Sequence, residues 1–386
     1  MIKRFIVNPF LLYVLSFLII FLLYQLKWSN SFSILNENLI YFLIATVVIS
    51  FFFGVWFDKY KVIKYYPKTI TPNSFWITMG LMFLYLIEFI YSRHIPLIEV
   101  LTKNELDLNL DFGIPVLHPL IITFNSYYIV RLYNSYLSFK KKKYLVYMLI
   151  CLLPGVLLVS RLFFVAALIS IWFITILYIK RIRMRVVALF LVSFLGIGYL
   201  FGLMGNHRSL RGSKVALPIA TNATNDFLKS DIPKEYYWIY IYSVSSLGNL
   251  NLNVENGKPE KLDLKGLLVT QALPDFISKR IIKHFNMFDY KPPLVYQFLN
   301  TSTLYSASFG YGGWIGMSFM FIFFISTSIL YILTLLLFKE YFAEGLAILL
   351  TIVLLNTFGN MYTYSAISLQ LVFPIIFGLL ARRKLV

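Results

Sequence analysis

The sequence predicts an all-α polytopic integral membrane protein with about ten transmembrane helices and one large loop on the outer side. Hydrophobic residues make up 59% of the 386-residue chain and charged residues only 13%, whereas a soluble domain is about one-quarter charged. This much apolar surface cannot be buried inside one water-facing globule of that size. The composition therefore excludes a soluble enzyme, a disordered chain and a fibrous repeat, and it indicates a lipid bilayer as the solvent.

The predicted spans follow from the length of the apolar runs. A helix needs about 20 mainly apolar residues to cross a hydrocarbon core about 30 Å thick. About ten segments meet this requirement, at residues 8–26, 38–57, 74–92, 115–138, 144–159, 162–179, 186–204, 312–338, 345–361 and 365–380. The chain then divides into seven helices in residues 1–204, an outer loop at residues 205–308, and three helices in residues 309–386.

The distribution of basic residues predicts the orientation of these spans. With the N-terminus inside, about half of the 35 basic residues fall in the inner connections, as expected for cytoplasmic loops. They are Lys3, Arg4, Lys59, Lys61, Lys64, Lys68, Lys140 to Lys143, Lys180, Arg181, Arg183, Arg185, Lys339, Arg382, Arg383 and Lys384. An even number of spans places both termini in the cytoplasm. The single cysteine, Cys151, lies within the fifth span, so no intramolecular disulfide and no thiol-ligated metal site is expected.

Four arginines on the outer side are candidates for binding an anion. Arg161 lies at a tight turn between two apolar arms, where it either extends to lipid headgroups or lines a polar cavity. Arg208 and Arg211 follow the seventh span beside glycines, and the pair fits either a diphosphate or a collar on the headgroups. Arg280 fits an anion contact or the basic face of an interfacial amphipathic helix.

Two further patterns have more than one interpretation. Five aromatic residues with polar tips fall within residues 236–242, as in a membrane-interface belt or in a platform on which sugar rings stack. Residues 308–316 hold four glycines at the start of the eighth span. Their spacing is not a phosphate-binding fingerprint, and they favour tight helix packing or a break at the floor of a cavity.

Three segments carry a resemblance to a known family. They are residues 93–97 (RHIPL) with 111–115 (DFGIP), residues 240–250 (YIYSVSSLGNL) and residues 306–313 (SASFGYGG). With these segments and its layout, the chain resembles the bacterial Wzy-type O-antigen polymerases, or oligosaccharide repeat-unit polymerases. Ser246 stands where the family usually has a proline, and Ser308 lies where an acid is common.

The resemblance implies a metal-independent, typically inverting glycosyltransferase of lipopolysaccharide biosynthesis, with no cofactor, in the bacterial inner membrane and with a periplasmic active site. Its donor is the growing glycan on undecaprenyl diphosphate, and its acceptor is a lipid-linked repeat unit. A chain-length-regulating co-polymerase is an expected partner, and nucleic acid is not.

The leaving lipid diphosphate must be stabilised by cationic side chains. We assign Arg161, Arg208 and Arg211 to this role, with Arg280 as a fourth candidate. A base for the acceptor hydroxyl is expected among His284, Asp275 and Glu235. Tyr240 and Asn249 are expected to contact the glycan.

Two alternative functions also fit the sequence. An O-antigen ligase uses a similar donor but attaches the glycan to a lipid A core sugar. A lipid-linked oligosaccharide flippase belongs to a different class, and such transporters usually have more spans and no single dominant outer loop.

Overall fold

The computed structural model describes residues 2–66, 73–103, 112–180, 184–210, 213–257 and 262–383. Regular structure in these ranges is helical, apart from an isolated bridge between Ser29 and Ala223. The first half of the chain forms α1 (Ile2–Val7), α2 (Pro9–Gln25), α3 (Glu37–Lys59), α4 (Ser74–Ser92), α5 (Pro96–Lys103), α6 (Leu117–Phe139), α7 (Lys143–Leu157), α8 (Arg161–Tyr178) and α9 (Met184–Leu210).

The second half alternates short helices with long ones. It forms α10 (Ala216–Ala220), α11 (Asn225–Lys229), α12 (Tyr237–Asn256), α13 (Leu264–Leu267), α14 (Asp275–Phe285), α15 (Ser306–Leu337), α16 (Phe342–Leu355), α17 (Ser365–Ser368) and α18 (Val372–Arg383). Helical structure therefore occurs in every segment that the apolar runs predict as a span.

Four helical stretches of the described chain are long and apolar enough to cross a membrane. They are Glu37–Lys59, Ser74–Ser92, Ser306–Leu337 and Ser365–Arg382. Three shorter apolar helices, Pro9–Gln25, Lys143–Leu157 and Leu162–Tyr178, accompany them. The protein thus has the helices of a membrane protein, and the count of about ten spans stays a prediction.

The helices begin and end at residues suited to those positions. Asn8 caps α2, because its side chain accepts hydrogen bonds from the backbone N–H groups of Phe10 and Leu11, and Pro9 follows at the first helical position. Asn36 caps α3 in the same way. Between α7 and α8 the chain reverses through Val159, which has a φ of +54°.

Helix α16 lies at the centre of the bundle. Nearly all of its side chains are buried, as expected for a helix that is apolar around its whole circumference. It packs against α2, α6, α8 and α15. A second apolar cluster lies between α4, α6 and α7 and includes Tyr85 and Cys151.

The region predicted as the outer loop contains a buried helix. Helix α12 packs against α2, α9 and α15 and buries six serine and asparagine side chains: Ser243, Ser245, Ser246, Asn249, Asn251 and Asn253. The residues just before α12 lie close to α9, since a Cβ added at Gly202 in α9 would meet the Glu235 carbonyl oxygen at 2.1 Å. Residues 237–256 are therefore part of the packed protein.

Basic residues meet at one end of the bundle, which we call the basic end. Lys3 Nζ donates to the Leu177 carbonyl at 2.9 Å, and Arg4 pairs with Asp58 at 3.2 Å. The Lys140 ammonium lies 4.5 Å from the ring centre of Tyr178. Residues from four distant parts of the chain, in α1, α3, α8 and the turn after α6, thus come together here.

The opposite end, which we call the loop end, is formed by residues 27–36, 112–116, 213–236, 286–305 and 356–364. Backbone hydrogen bonds join residues 27–36 to 213–236, and residues 286–305 to 356–364. Asn30 N donates to Asn222 O at 2.9 Å, Thr224 N to Trp28 O at 2.9 Å, and Ser302 N to Phe358 O at 2.9 Å. The segment between α2 and α3, predicted as the first outer connection, therefore lies against the residues that follow α9.

Candidate functional site at the loop end

Two of the segments that carry the family resemblance meet at the loop end. Helix α12 contains residues 240–250, and α15 begins with residues 306–313. The Asn253 amide donates to the Ser306 carbonyl at 2.6 Å, and its oxygen accepts from the Tyr290 hydroxyl at 2.5 Å. Tyr290 N in turn donates to the Tyr311 hydroxyl at 2.8 Å. Both segments and the chain between them thus form one hydrogen-bonded unit. Tyr290 is partly buried in this unit, and the burial raises the pKa of its hydroxyl.

Helix α15 is interrupted within the glycine-rich segment. Gly312 and Gly313 have non-helical backbone angles, and Gly313 has a φ of +56°, which favours glycine. The interruption frees the Tyr311 carbonyl, which accepts a hydrogen bond from Asp263 N at 2.8 Å. The sequence allowed either tight packing or a break at a cavity, and the structure has the break.

A cavity of about 430 Å³ lies beside this interruption. It is lined by Asn36, Asn38, Val254, Gly257, Phe309, Gly312, Gly313, Trp314 and Ile315. Its volume lies within the range of about 300–1,000 Å³ that is usual for small-molecule sites. Side-chain amides, peptide groups beside glycine and two aromatic rings together offer hydrogen bonds and stacking faces. This combination suits a ligand that is polar at its edges and apolar on its faces, such as a sugar ring.

The cavity residues from the first outer connection were not among the sequence candidates. Asn36 accepts hydrogen bonds from the backbone N–H groups of Asn38 and Leu39 as the cap of α3, and its own N–H donates to Asn251. An asparagine directly before an apolar run is a recognised helix-start signal. That signal locates the start of α3 but does not indicate that α12 and α15 lie beside it.

The two residues expected to contact the glycan, Tyr240 and Asn249, are buried within the protein. Tyr240 is only 2% exposed, and its hydroxyl accepts from Trp28 N at 2.9 Å. Asn249 donates to the carbonyls of Leu299 and Thr301 and accepts from Val295 N. These two side chains hold the outer segments together, and their buried faces offer no open contact to a glycan.

The aromatic run at residues 236–242 also packs inside the protein. Phe227 lies between the rings of Trp28 and Tyr237, and Trp238 donates to the Asn206 side chain at 2.7 Å. Neither a belt facing lipid nor an open sugar platform describes this arrangement. The polar tips of Tyr237, Trp238 and Tyr240 instead form hydrogen bonds with other segments of the protein.

Glu235, a candidate base, is buried at 2% exposure and lies 3.0 Å from Lys214 Nζ. The hydrogen bond and charge of Glu235 raise the pKa of the Lys214 ammonium. The carboxylate is therefore already engaged by a cation of the protein itself.

Asp275, another candidate base, joins α14 to α17. Its carboxylate accepts hydrogen bonds from the backbone N–H and the hydroxyl of Ser365, and the Ser365 hydroxyl accepts from Phe276 N at 2.8 Å. Asp275 N donates to Thr363 O at 2.6 Å, and Lys279 lies 3.5 Å from the carboxylate. The first two backbone N–H groups of α14 are thus satisfied by residues 363 and 365, which fixes the start of α14 against α17.

His284 and Arg280 lie on the exposed surface of α14. The Arg280 guanidinium stacks 4.3 Å from the ring centre of Phe276 and donates to its carbonyl. The His284 ring packs edge-on against Phe285. With Lys279 and Lys283 also exposed, α14 has the basic face predicted for an amphipathic helix.

The remaining arginine candidates lie outside what the structure describes in detail. Arg161 begins α8 and Arg208 lies in the last turn of α9, but the side chains of both fall outside the described part. Arg211 lies outside the described residues altogether. Their convergence on a diphosphate therefore stays a prediction.

A buried pair at the loop end, Glu88 with His118, was missed from the sequence. The Glu88 carboxylate is fully buried, and its Oε2 lies 2.9 Å from His118 Nδ1. Glu88 is a charge within an apolar run, and that pattern by itself does not indicate His118 as its partner. One signal was available, because Glu88 lies near the outer end of one predicted span and His118 near the outer start of the next.

Among the described residues, no group of three histidine, cysteine, aspartate or glutamate side chains is placed to share a metal ion. Comparison of the chain with protein-family models, curated proteins and solved structures gave no match.

Proposed function

We propose that this protein is a membrane-embedded glycosyltransferase that polymerises oligosaccharide repeat units carried on undecaprenyl diphosphate. It transfers the growing glycan from its lipid carrier to a hydroxyl of a new lipid-linked repeat unit, and undecaprenyl diphosphate leaves. In this proposal about ten helices cross the bacterial inner membrane. Both termini lie in the cytoplasm, and the loop end faces the periplasm.

The cavity beside Gly312 and Gly313 is the observation that carries the proposal. It is built where α12 and α15 meet, and these helices contain two of the three segments that resemble the polymerase family. Its lining of asparagine amides, peptide groups, Phe309 and Trp314 suits the stacking and hydrogen bonding of a sugar ring. A site for one unit of the glycan is the simplest use of such a cavity.

The position of the charges supports the proposed orientation. Lys3, Arg4 and Lys140 lie at the basic end, where cytoplasmic loops are expected to retain positive charge. The cavity lies at the opposite end of the bundle, where the start of α3, the end of α12 and the start of α15 line it. A lipid-linked repeat unit that has been delivered to the periplasmic leaflet would therefore meet the cavity directly.

The leaving group requires a cationic site near this end of the bundle. We assign Arg161, Arg208 and Arg211 to the diphosphate, because guanidinium groups bind phosphate oxygens in bidentate fashion and remain charged at all physiological pH values. Arg280 is the fourth candidate, and its exposed position on α14 leaves it open to lipid-borne phosphate.

Purified protein in proteoliposomes, supplied with a defined synthetic lipid-linked repeat unit, tests the proposal. We expect a ladder of products that differ by one repeat unit, together with release of undecaprenyl diphosphate. Transfer only to an added lipid A core acceptor would indicate a ligase instead. Movement of the lipid-linked unit across the bilayer without any change in glycan length would indicate a flippase.

A further inference from the structure

The contact between α4 and α6 at the loop end contains a pair of ionisable side chains, Glu88 and His118, to which the proposed function gives no role. Glu88 lies in the last two turns of α4, and His118 is the second residue of α6. The Glu88 side chain is 0% exposed and that of His118 is 21% exposed, with 2.9 Å between Oε2 and Nδ1. The pair therefore has one buried member and one that reaches the surface.

Burial of this carboxylate costs free energy that an apolar side chain would avoid. Oε2 is bound by the imidazole, but the second oxygen, Oε1, is buried without a hydrogen-bond partner among the described residues. A polar group kept in so unfavourable a position calls for an explanation beyond packing. One turn earlier in α4, by contrast, the buried Tyr85 hydroxyl accepts a hydrogen bond from the Asn125 amide at 3.2 Å.

The imidazole is held in one orientation by its surroundings. The Phe112 ring centre lies 5.2 Å from that of His118, and Phe112 also packs against Phe89 and His94. Gly113 has a φ of +86°, and a Cβ added there would meet the His118 ring at 2.5 Å. The backbone N–H of Gly113 donates to Ser92 Oγ at 2.8 Å.

The residues that pack against the His118 ring belong to the segment of the family resemblance at 93–97 and 111–115. Its described residues, 93–97 and 112–115, lie between α4 and α6 in the chain, and Phe112 and Gly113 lie against the His118 ring. Arg93 ends α4 in the left-handed region, with a φ of +57°, and its backbone N–H donates to the Phe89 carbonyl. Two residues of this segment, Phe112 and Gly113, therefore help to position the His118 imidazole.

A carboxylate at Nδ1 fixes the tautomer that carries its proton on that nitrogen, so that Nε2 keeps a lone pair. Nε2 has no hydrogen-bond partner among the residues that the structure describes. An oriented imidazole with one nitrogen bound to a carboxylate and the other available is the arrangement of a general base. His284, by comparison, packs against Phe285 on an exposed helix, and within the described ranges no carboxylate contacts its ring.

We propose that His118 is the base that accepts the proton of the acceptor hydroxyl, and that Glu88 is its positioning residue. This role rests on the proposed function. As the acceptor oxygen forms its bond to the anomeric carbon, its O–H bond breaks and the proton passes to Nε2. The bond between the anomeric carbon and the diphosphate oxygen breaks, and its electron pair leaves with undecaprenyl diphosphate. The imidazolium is stabilised by the Glu88 carboxylate and then loses the proton to solvent.

The test compares His118→Ala, His118→Asn and Glu88→Gln with wild-type protein in the proteoliposome assay. We expect His118→Ala to lower kcat about 10²- to 10⁴-fold, with KM for the lipid-linked repeat unit changed by less than about threefold. Added imidazole should restore part of the rate to His118→Ala, a response that a purely structural residue would not give. Glu88→Gln, which removes the negative charge, should lower kcat by an intermediate amount.

Folding and the alternative base are controlled in the same experiment. His118→Asn keeps a group that can bond to Glu88, so it preserves a folded protein if His118→Ala loses its elution peak in detergent. Undiminished polymerisation by either folded His118 variant would overturn the proposal. Loss of activity in His284→Ala, together with full activity in His118→Ala, would assign the base to His284 instead. A wild-type protein that forms no polymer would overturn the proposed function and this role with it.

Discussion

The Asn253 side chain joins α12 to the first turn of α15, because its amide donates to the Ser306 carbonyl at 2.6 Å while its oxygen accepts from the Tyr290 hydroxyl at 2.5 Å. Asn253 is completely buried. One side chain thus satisfies polar groups from two other segments. The position of the cavity wall, from Val254 to Trp314, depends on this connection.

Asn253→Ala should therefore destabilise the loop end. The substitution leaves the Ser306 carbonyl and the Tyr290 hydroxyl without this partner, at a cost of about 1–3 kcal/mol. We expect a lower temperature of unfolding in detergent, measured by intrinsic fluorescence, together with weaker glycan transfer. The exposed Asn225 provides a matched control, and Asn225→Ala should leave both quantities unchanged. Equal unfolding temperatures for the two variants would contradict this account.

A second prediction concerns the interruption of α15. Gly313→Ala places a Cβ on a residue with a φ of +56°, which should cost about 1–3 kcal/mol whatever space is available. Gly80→Ala, in α4, is the control, because a Cβ there meets no heavy atom within 4 Å and alanine is the better helix former by about 1 kcal/mol. Thermal unfolding should rank the proteins Gly80→Ala, wild type, Gly313→Ala from most to least stable. A Gly313 variant as stable as wild type would show that the interruption is not required.

A third prediction gives a pH dependence for the pair of Lys214 and Glu235. Glu235 raises the pKa of Lys214 above its ordinary value of 10.5. The pair therefore stabilises the folded protein fully below about pH 10.5, and this contribution is lost as the pH rises through the higher pKa of the folded state. Unfolding temperatures of wild type and Lys214→Met should differ at pH 8 and converge at strongly alkaline pH. A difference that grows with pH would have the wrong sign.

The fourth prediction tests the arginines assigned to the leaving diphosphate. Arg161→Ala and Arg208→Ala should each lower the rate of polymerisation, by about 10²-fold if each donates to the developing charge. Arg382→Ala is the control, since Arg382 lies at the basic end and donates to the Leu337 carbonyl. Initial rates with a synthetic lipid-linked repeat unit provide the measurement. Unchanged rates in both outer variants would refute the assignment.

Much of the helical framework could be predicted from the sequence, because apolar runs of the length of a span have few alternatives. Each of the predicted runs coincides with helical structure, and the Gly312–Gly313 break was among the stated alternatives. The cytoplasmic placement of the basic end stays a prediction, although the basic residues from distant connections do lie together.

The arrangement of the loop end could not be predicted, because it depends on contacts that leave no local pattern. Asn249 bonds to residues 295, 299 and 301, which are about 50 positions away, so nothing beside it in the sequence indicates its burial. The aromatic run at 236–242 has the composition of a membrane interface, yet Tyr237, Trp238 and Tyr240 are buried with tertiary partners for their polar tips. Likewise, pairing of Glu88 with His118 depends on how α4 and α6 are rotated against each other.

Photo-cross-linking gives the most direct test of the central claim, that a repeat unit binds in the cavity beside Gly312 and Gly313. A lipid-linked repeat unit with a photoreactive sugar is bound to the protein and irradiated, and the adducts are mapped by mass spectrometry. We predict adducts on Asn36, Asn38 or Trp314, which disappear when excess unlabelled repeat unit is present. Competed adducts that fall only on other parts of the chain, while the protein still forms polymer, would contradict the account.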